Sequence, residues 1–278
     1  MCLDEKRKGK SKLAFPAVKR YTNTIMPTLI LSARQSEDAQ LLWRACIAAN
    51  WNVIRVHDWH VPPIEGNEIA VYGEPLFVRH VAHGLRLKLQ EPPLEWLPEL
   101  SPAWRGRSIQ LTTLAKARNV STQCFIKPAG EKSFDASVYL NGGDLPAPNL
   151  LPDDLPVLVQ EVVVWEVEFR CFVLGRKVVA LSPYWRDGRS ARADDGSWPA
   201  SEAEMNEAKV FCERFLADSS VSILPAVVID VGIIHGRGWA VIESNAAFSS
   251  GIYGCDPGKV LQAFQHAGER LPQNQNGG

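Results

Sequence analysis

From Thr28 the chain alternates short apolar runs with stretches of helical period. Leu29, Ile30 and Leu31 form a run that reads as a strand. Ser36 then stands where it can cap a helix, with Glu37 and Asp38 in the first turn, where the helix dipole favours acids. Ala39, Leu42, Trp43 and Cys46 recur at helical spacing and predict that helix's inner face, and residues 53–56 predict the next strand. Residues 68–72 and a helix opening on Pro75 predict a second unit of the same kind. These elements make a small α/β layer over residues 26–104. The proline-rich stretch 92–102 near its end reads as a linker.

Beyond it the pattern changes to paired strands. Residues 124–127 and 136–140 read as extended, as do 157–163, 166–173 and 177–184. Residues 186–199, with two glycines and many charges, read as a mobile loop. Ser201 with Glu204 forms a capping box for a helix running to about Ala217, with Ala208, Phe211, Cys212 and Phe215 inward. Strands follow over 226–234 and 239–245, and a last helix opens at Asp256-Pro257. Strands and helices segregate here, which predicts an α+β domain over 105–270.

Composition removes several function classes. The net charge is −1, so no global basic field points to nucleic acid or an acidic membrane. No apolar run approaches the ~20 residues of a membrane span. The six cysteines are widely spaced with no C-x-x-C pair, which predicts reduced thiols in a cytoplasmic protein. Residues 1–25 carry Lys6, Arg7, Lys8, Lys10 and Lys12 with no apolar stretch behind them, and read as a disordered basic tail; 271–278 read as a flexible one. His57/His60 and His80/His83 have metal-ligand chemistry but no further ligand nearby in sequence.

The segment 226–245 carries the most chemistry. Two apolar strands flank His235-Gly236-Arg237-Gly238. If His235 and Gly238 close a four-residue connection, Asp230 faces Glu243, Val228 faces Asn245, and all three polar side chains share one face. Two opposed carboxylates among valines and isoleucines repel, so a shared proton, a basic neighbour or a divalent cation must offset them. A third oxygen ligand suits Mg²⁺. Solvent contact at a strand edge would serve equally well.

Phosphate chemistry is less visible. Neither G-x-x-x-x-G-K-[ST] nor G-x-G-x-x-G occurs. Lys127 ends an apolar strand before Pro128 and Gly130, with Lys132 in the same loop; two such cations can neutralise a polyphosphate, although a strand-end lysine can also reach solvent. Glu166, Glu168 and Arg170 alternate with Val167, Phe169 and Cys171, the pattern of a strand with one wall on a cleft or in water.

In order, Phe125-Ile126-Lys127-Pro128, Gln160-Glu161 with Glu168-x-Arg170, and Asp230 with Glu243-Ser244-Asn245 resemble the ATP-grasp superfamily. The likeness is greatest to short, poorly characterised bacterial and phage members. It covers residues 105–266, with the layer before it similar to the small α/β domain that precedes the grasp. The resemblance implies an α/β N-terminal layer followed by an α+β ATP-grasp domain whose two subdomains close on ATP. It implies that Lys127 contacts the phosphates, with Lys132 as a second contact. Gln160, Glu161, Val162 and Val163 would form the adenine hinge, and Glu168 would bind ribose. Arg170 would face the phosphates or the phosphorylated intermediate, and Asp230, Glu243 and Asn245 would hold Mg²⁺. Arg107 and Lys116 are both candidates for an upstream phosphate contact, and Arg186 stands in a loop that reaches substrate in relatives.

The function so implied is Mg-ATP-dependent ligation of a small-molecule or peptide carboxylate to an amine through an acylphosphate. No protein nucleophile is needed, and Ser249-Ser250-Gly251 does not match G-x-S-x-G. Phosphotransfer to a hydroxyl and nucleotide binding without turnover remain alternatives.

Overall fold

The structure is a computed structural model that describes residues 26–272 apart from 58, 62, 65 and 67. The expected tail over 1–25 and residues 273–278 of the second tail lie outside the described residues.

A strand without polar positions needs cover on both faces, and β1 (Thr28–Ser32) obtains it as the central strand of a parallel sheet. Helix α1 (Glu37–Ala48) follows, capped by the Ser36 hydroxyl, which accepts from the Ala39 amide at 3.1 Å. Strands β2 (Asn52–Val56) and β3 (Ile69–Tyr72) flank β1. Helix α1 buries Ala39, Leu42 and Cys46, but Trp43 is 47% exposed. The inward stripe is narrower than the spacing predicts, because Trp43 lies a further ~100° round the helix from Leu42. Helix α2 (Pro75–Leu85) has its proline in the first turn, and Arg86 at φ 57° turns the chain into β4 (Leu87–Leu89).

The stretch 92–102 is packed rather than a free linker. It contains α3 (Trp96–Glu99) and leads into α4 (Pro102–Arg105). Trp96, Leu97 and Leu100 are buried, and the Trp96 indole donates to the Ser222 carbonyl at 2.7 Å. The prolines mark turn and helix starts, while the large apolar side chains between them drive packing.

Strands β5 (Ile109–Thr113), β6 (Cys124–Pro128), β7 (Ser137–Tyr139) and β8 (Pro156–Gln160) form an antiparallel sheet in the order β5-β8-β6-β7, with helix α5 (Leu114–Ala117) after β5. Cys124 and Ile126 point into a core with Leu114 and Ala117. Alternation sends Lys127 to the opposite face.

The second antiparallel sheet takes β9 (Trp165–Leu174), β10 (Lys177–Arg186) and the short β11 (Arg189–Ser190). After helix α6 (Glu202–Ala217) it adds β12 (Ala226–Ile234) and β13 (Gly238–Asn245). Its order is β11-β10-β9-β12-β13. The expected capping box of α6 is present, with Ser201 and Glu204 bonded reciprocally. Odd-numbered residues of β9 and β12, including Phe169, Cys171, Ile229 and Val231, pack with Phe211, Cys212 and Phe215 of α6. Even-numbered residues line the other face, where Phe172 and Val228 join a separate core with Phe264 of α7 (Pro257–Gln265). Helix α7 lies against α1 and β3, and β14 (Gly268–Arg270) pairs with β4, so the chain's last elements return to its first layer.

Candidate functional site

On the even face of β9 and β12, beyond Phe172 and Val228, stand Glu168, Arg170 and Asp230. The hairpin β12–β13 adds Glu243 and Asn245. Its turn is one residue shorter than expected, because Ile234 pairs with Gly238 and only His235, Gly236 and Arg237 connect the strands. On that register Asp230 would face Ile242. Instead Val231 pairs with Val241 and Asp230 with Glu243, so Ile242 is an extra residue and forms a bulge. The shorter turn and the bulge cancel. Asp230 faces Glu243 and Val228 faces Asn245, as expected.

The two opposed carboxylates are offset by cations of the chain itself. Asp230 is fully buried and accepts two bonds from Arg170, from Nε at 3.0 Å and from NH2 at 2.7 Å. Arg170 comes from the neighbouring position on β9, directly opposite Asp230. Its remaining nitrogen donates to the Gly251 carbonyl at 3.0 Å, and its guanidinium lies over Tyr184 and Tyr253, 5.4 and 4.8 Å from their ring centres. Lys127 crosses from the other sheet to pair with Glu243 Oε2. The Asn245 amide donates to Glu243 Oε1 at 2.8 Å and to Asp230 Oδ2 at 3.3 Å. Complete burial rules out solvent contact as the offset for Asp230.

Burial sets the proton affinities, and the neighbours correct them. Burial pushes the Asp230 carboxyl up, with Arg170 opposing. Burial also pushes Glu243 up, but Lys127 and the Asn245 amide outweigh it and hold this carboxyl at about 2. Glu168 is raised to about 7, first by burial and then by the charges of Asp230 and Glu243; the Tyr184 hydroxyl that donates to it pulls the other way.

A raised carboxyl destabilises the fold as pH climbs. Between about 4.5 and 7 the unfolded chain has released the Glu168 proton while the folded chain keeps it. Glu168→Gln removes this dependence. Its melting temperature relative to the unaltered protein should therefore improve from pH 5 to pH 8, by on the order of 1–2 kcal/mol in stability. Calorimetry at the two pH values checks it; a pH-independent difference would show that Glu168 is ordinarily acidic.

The oxygens of this cluster suit a hard cation. Glu243 and Asn245 are partly exposed, and Asp230 keeps lone pairs beyond those Arg170 uses. No group of three or more His, Cys, Asp or Glu among the described residues could hold a metal. A cation here would rest on two carboxylates and one amide, a set that suits Mg²⁺ carrying phosphate. Neither histidine pair gains such a group.

The other residues singled out in the sequence fall in varied places. The Gln160 side chain is buried and accepts from Arg107 at 3.0 and 2.9 Å. Glu161 is exposed and bonded to Ser108 and Arg237, and Val162 and Val163 lie in the irregular connection between the two sheets. Lys132 and Lys116 are exposed. Arg186 pairs with Glu204 at the start of α6, 2.7 Å away. Five cysteines are free and buried, Cys171 and Cys212 lying 3.2 Å apart at sulfur.

Two tyrosines escaped sequence reasoning. Tyr253 has φ 48°, in the left-handed region that costs a bulky residue on the order of 1–3 kcal/mol. It is held there by stacking on Tyr184, with ring centres 5.0 Å apart and planes 13° apart. Its place between Gly251 and Gly254 was the one available signal.

A family model described as an ATP-grasp domain, clade family 2, matches residues 104–263. Among solved structures the fold is similar to a RimK domain ATP-grasp protein from Sphaerobacter thermophilus. The two are 12% identical over 86% of this chain and 99% of that one, with a TM-score of 0.51. It is also similar to the D-cycloserine synthetase DcsG, 15% identical over 86% of this chain and 98% of that one, with a TM-score of 0.51. No curated protein matches the chain. No described helix is long and apolar enough to cross a membrane.

Proposed function

This chain belongs to the ATP-grasp family, and by that membership to the ATP-dependent ligases; from that premise we propose that it joins a carboxylate to an amine using Mg-ATP. The observation that carries the proposal is the convergence of Lys127 and Arg170 with Asp230, Glu243 and Asn245 between two sheets.

In this reading Glu243, Asn245 and Asp230 hold Mg²⁺, which when bound draws charge from the phosphate oxygens and fixes the γ-phosphoryl group for attack. Lys127, relieved of its carboxylate partner by that cation, is free to turn its ammonium to the phosphates. Arg170 keeps its bond to Asp230 and presents charge beside the transferring group, a fixed donor that needs no reorganisation during reaction. Lys132, on the exposed loop after β6, supplies a second phosphate contact. The connection Glu161–Val163 offers backbone groups to adenine, and Glu168 a carboxyl to ribose.

The substrate carboxylate attacks the γ-phosphorus, and the bond to the β-phosphate oxygen breaks to release ADP. The amine lone pair then attacks the acyl carbon. A C–N bond forms, the C–O bond to phosphate breaks, and the amine proton is lost. The chain contributes position and charge, which together supply most of such a rate enhancement.

A screen for ADP release against paired amino acids, short peptides and polyamines tests this. Release that requires both a carboxylate and an amine is the expected result. A stable phosphorylated product would instead assign the site to phosphotransfer, and nucleotide binding without release in any pairing would assign it to binding alone.

A further inference from the structure

The bulge at Ile242 decides which face of the hairpin carries its chemistry. On the register set at the turn, where Ile234 pairs with Gly238, Glu243 would oppose Ile229 and share its face, the one packed against α6. The extra residue moves Glu243 and Asn245 onto the face of Asp230. A bulge leaves backbone groups without their ladder partners, and here two carbonyls are taken up by one side chain.

That side chain is Arg107. Its NH1 donates to the Val241 carbonyl and its NH2 to the Ile242 carbonyl, both at 2.8 Å. NH1 also donates to the Arg105 carbonyl at 3.0 Å, and Nε and NH2 both reach Gln160 Oε1. These bonds occupy all five N–H groups of a guanidinium, so none is left for a phosphate. The group is 7% exposed and lies over the Trp165 ring, 5.0 Å from its centre. Trp165 in turn meets Gly232, where an added Cβ would come 3.0 Å from both the Trp165 ring and Ile242 and 2.5 Å from the Val167 carbonyl. Burial lowers the guanidinium only to about 10, so it stays charged at neutral pH.

We infer that Arg107 is a positioning residue for the metal ligands rather than a nucleotide contact: it pins the Ile242 bulge and so holds Glu243 and Asn245 on the face of Asp230. Through Gln160, the last residue of β8, it also ties this bulge to the connection proposed to hold adenine. The inference rests on the metal reading above.

The test uses Arg107→Met, which keeps the stem and removes every donor, and Arg107→Lys, which keeps the charge with fewer donors in another geometry. ADP binding is measured by calorimetry without metal and across a magnesium titration. Hydrogen exchange over residues 241–245 is followed in the nucleotide-free proteins. In Arg107→Met the half-saturating magnesium concentration should rise at least tenfold, exchange over 241–245 should quicken at least tenfold, and metal-free ADP affinity should stay within threefold. Arg107→Lys should fall between, and it carries the test if the methionine variant does not fold.

Loss of metal-free ADP affinity with unchanged magnesium dependence would overturn the inference and make Arg107 a direct nucleotide contact. Unchanged exchange over 241–245 would overturn it as well. An unaltered protein whose ADP affinity ignores magnesium would overturn the metal reading itself, and this inference with it.

Discussion

Replacing Glu243 by glutamine together with Asn245 by alanine should abolish magnesium-dependent ATP turnover while leaving the fold intact. Both side chains are partly exposed, and the pair Lys127–Glu243 is open to solvent at its edge, with 20% and 27% of the side chains accessible. Losing such a pair costs at most about 1 kcal/mol. Losing two of three proposed metal ligands removes the charge that steadies the transferring phosphoryl group, an effect of several kcal/mol or at least about 10³-fold in rate. ADP formation at saturating magnesium and the melting temperature, measured on the same preparation, separate the two effects. Unchanged turnover would sink the assignment of these residues.

Asp230→Ala should behave in the opposite sense, as a severe loss of stability. It strands the Arg170 guanidinium, 7% exposed, without the carboxylate that meets it at 3.0 and 2.7 Å. Removing one partner of a buried pair costs about 3–5 kcal/mol, because the remaining charge is left uncompensated. The melting temperature should fall by on the order of 10 °C. The double variant Asp230→Leu with Arg170→Met fills the same space with apolar groups and should recover most of that loss, though not activity. If the single variant melts like the unaltered protein, the pair does not carry the charge compensation proposed for this face.

The contrast between the two experiments follows from depth. Asp230 and Arg170 lie at the centre of the sheet, on adjacent strands, where charge must be paired. Glu243 and Lys127 stand at the rim, on strands of different sheets, where partners can be exchanged. A ligand that draws Glu243 away releases a lysine toward itself, whereas Arg170 stays in place.

Much of this was legible beforehand, by routes of unequal quality. Helix α6 begins at its capping box and β12 runs over 226–234, as the pattern predicts. The pairing of Asp230 with Glu243 emerges from an assumed four-residue turn, whereas the structure reaches it through a shorter turn and a bulge. A residue count along a hairpin cannot separate those two routes, since both end on the same partners. Trp43 was expected inward and is exposed, because a helix on a small sheet buries only one narrow stripe. The prolines of 92–102 suggested a linker, yet Trp96 and Leu100 make it part of a core.

What the sequence determined by itself is local: which segments are strands and helices, where helices start, and that Asp230, Glu243 and Asn245 share a face. Alternation and turn length act over a few residues, and the signal is complete within the hairpin. The tertiary structure alone decided that β9 lies beside β12, bringing Arg170 onto Asp230 across 60 residues of chain, and that Lys127 reaches Glu243 from another sheet. It alone decided that Arg107 fills the bulge at Ile242. Those contacts depend on strand order and on how two sheets meet, which the packing of distant apolar faces sets and no local period records.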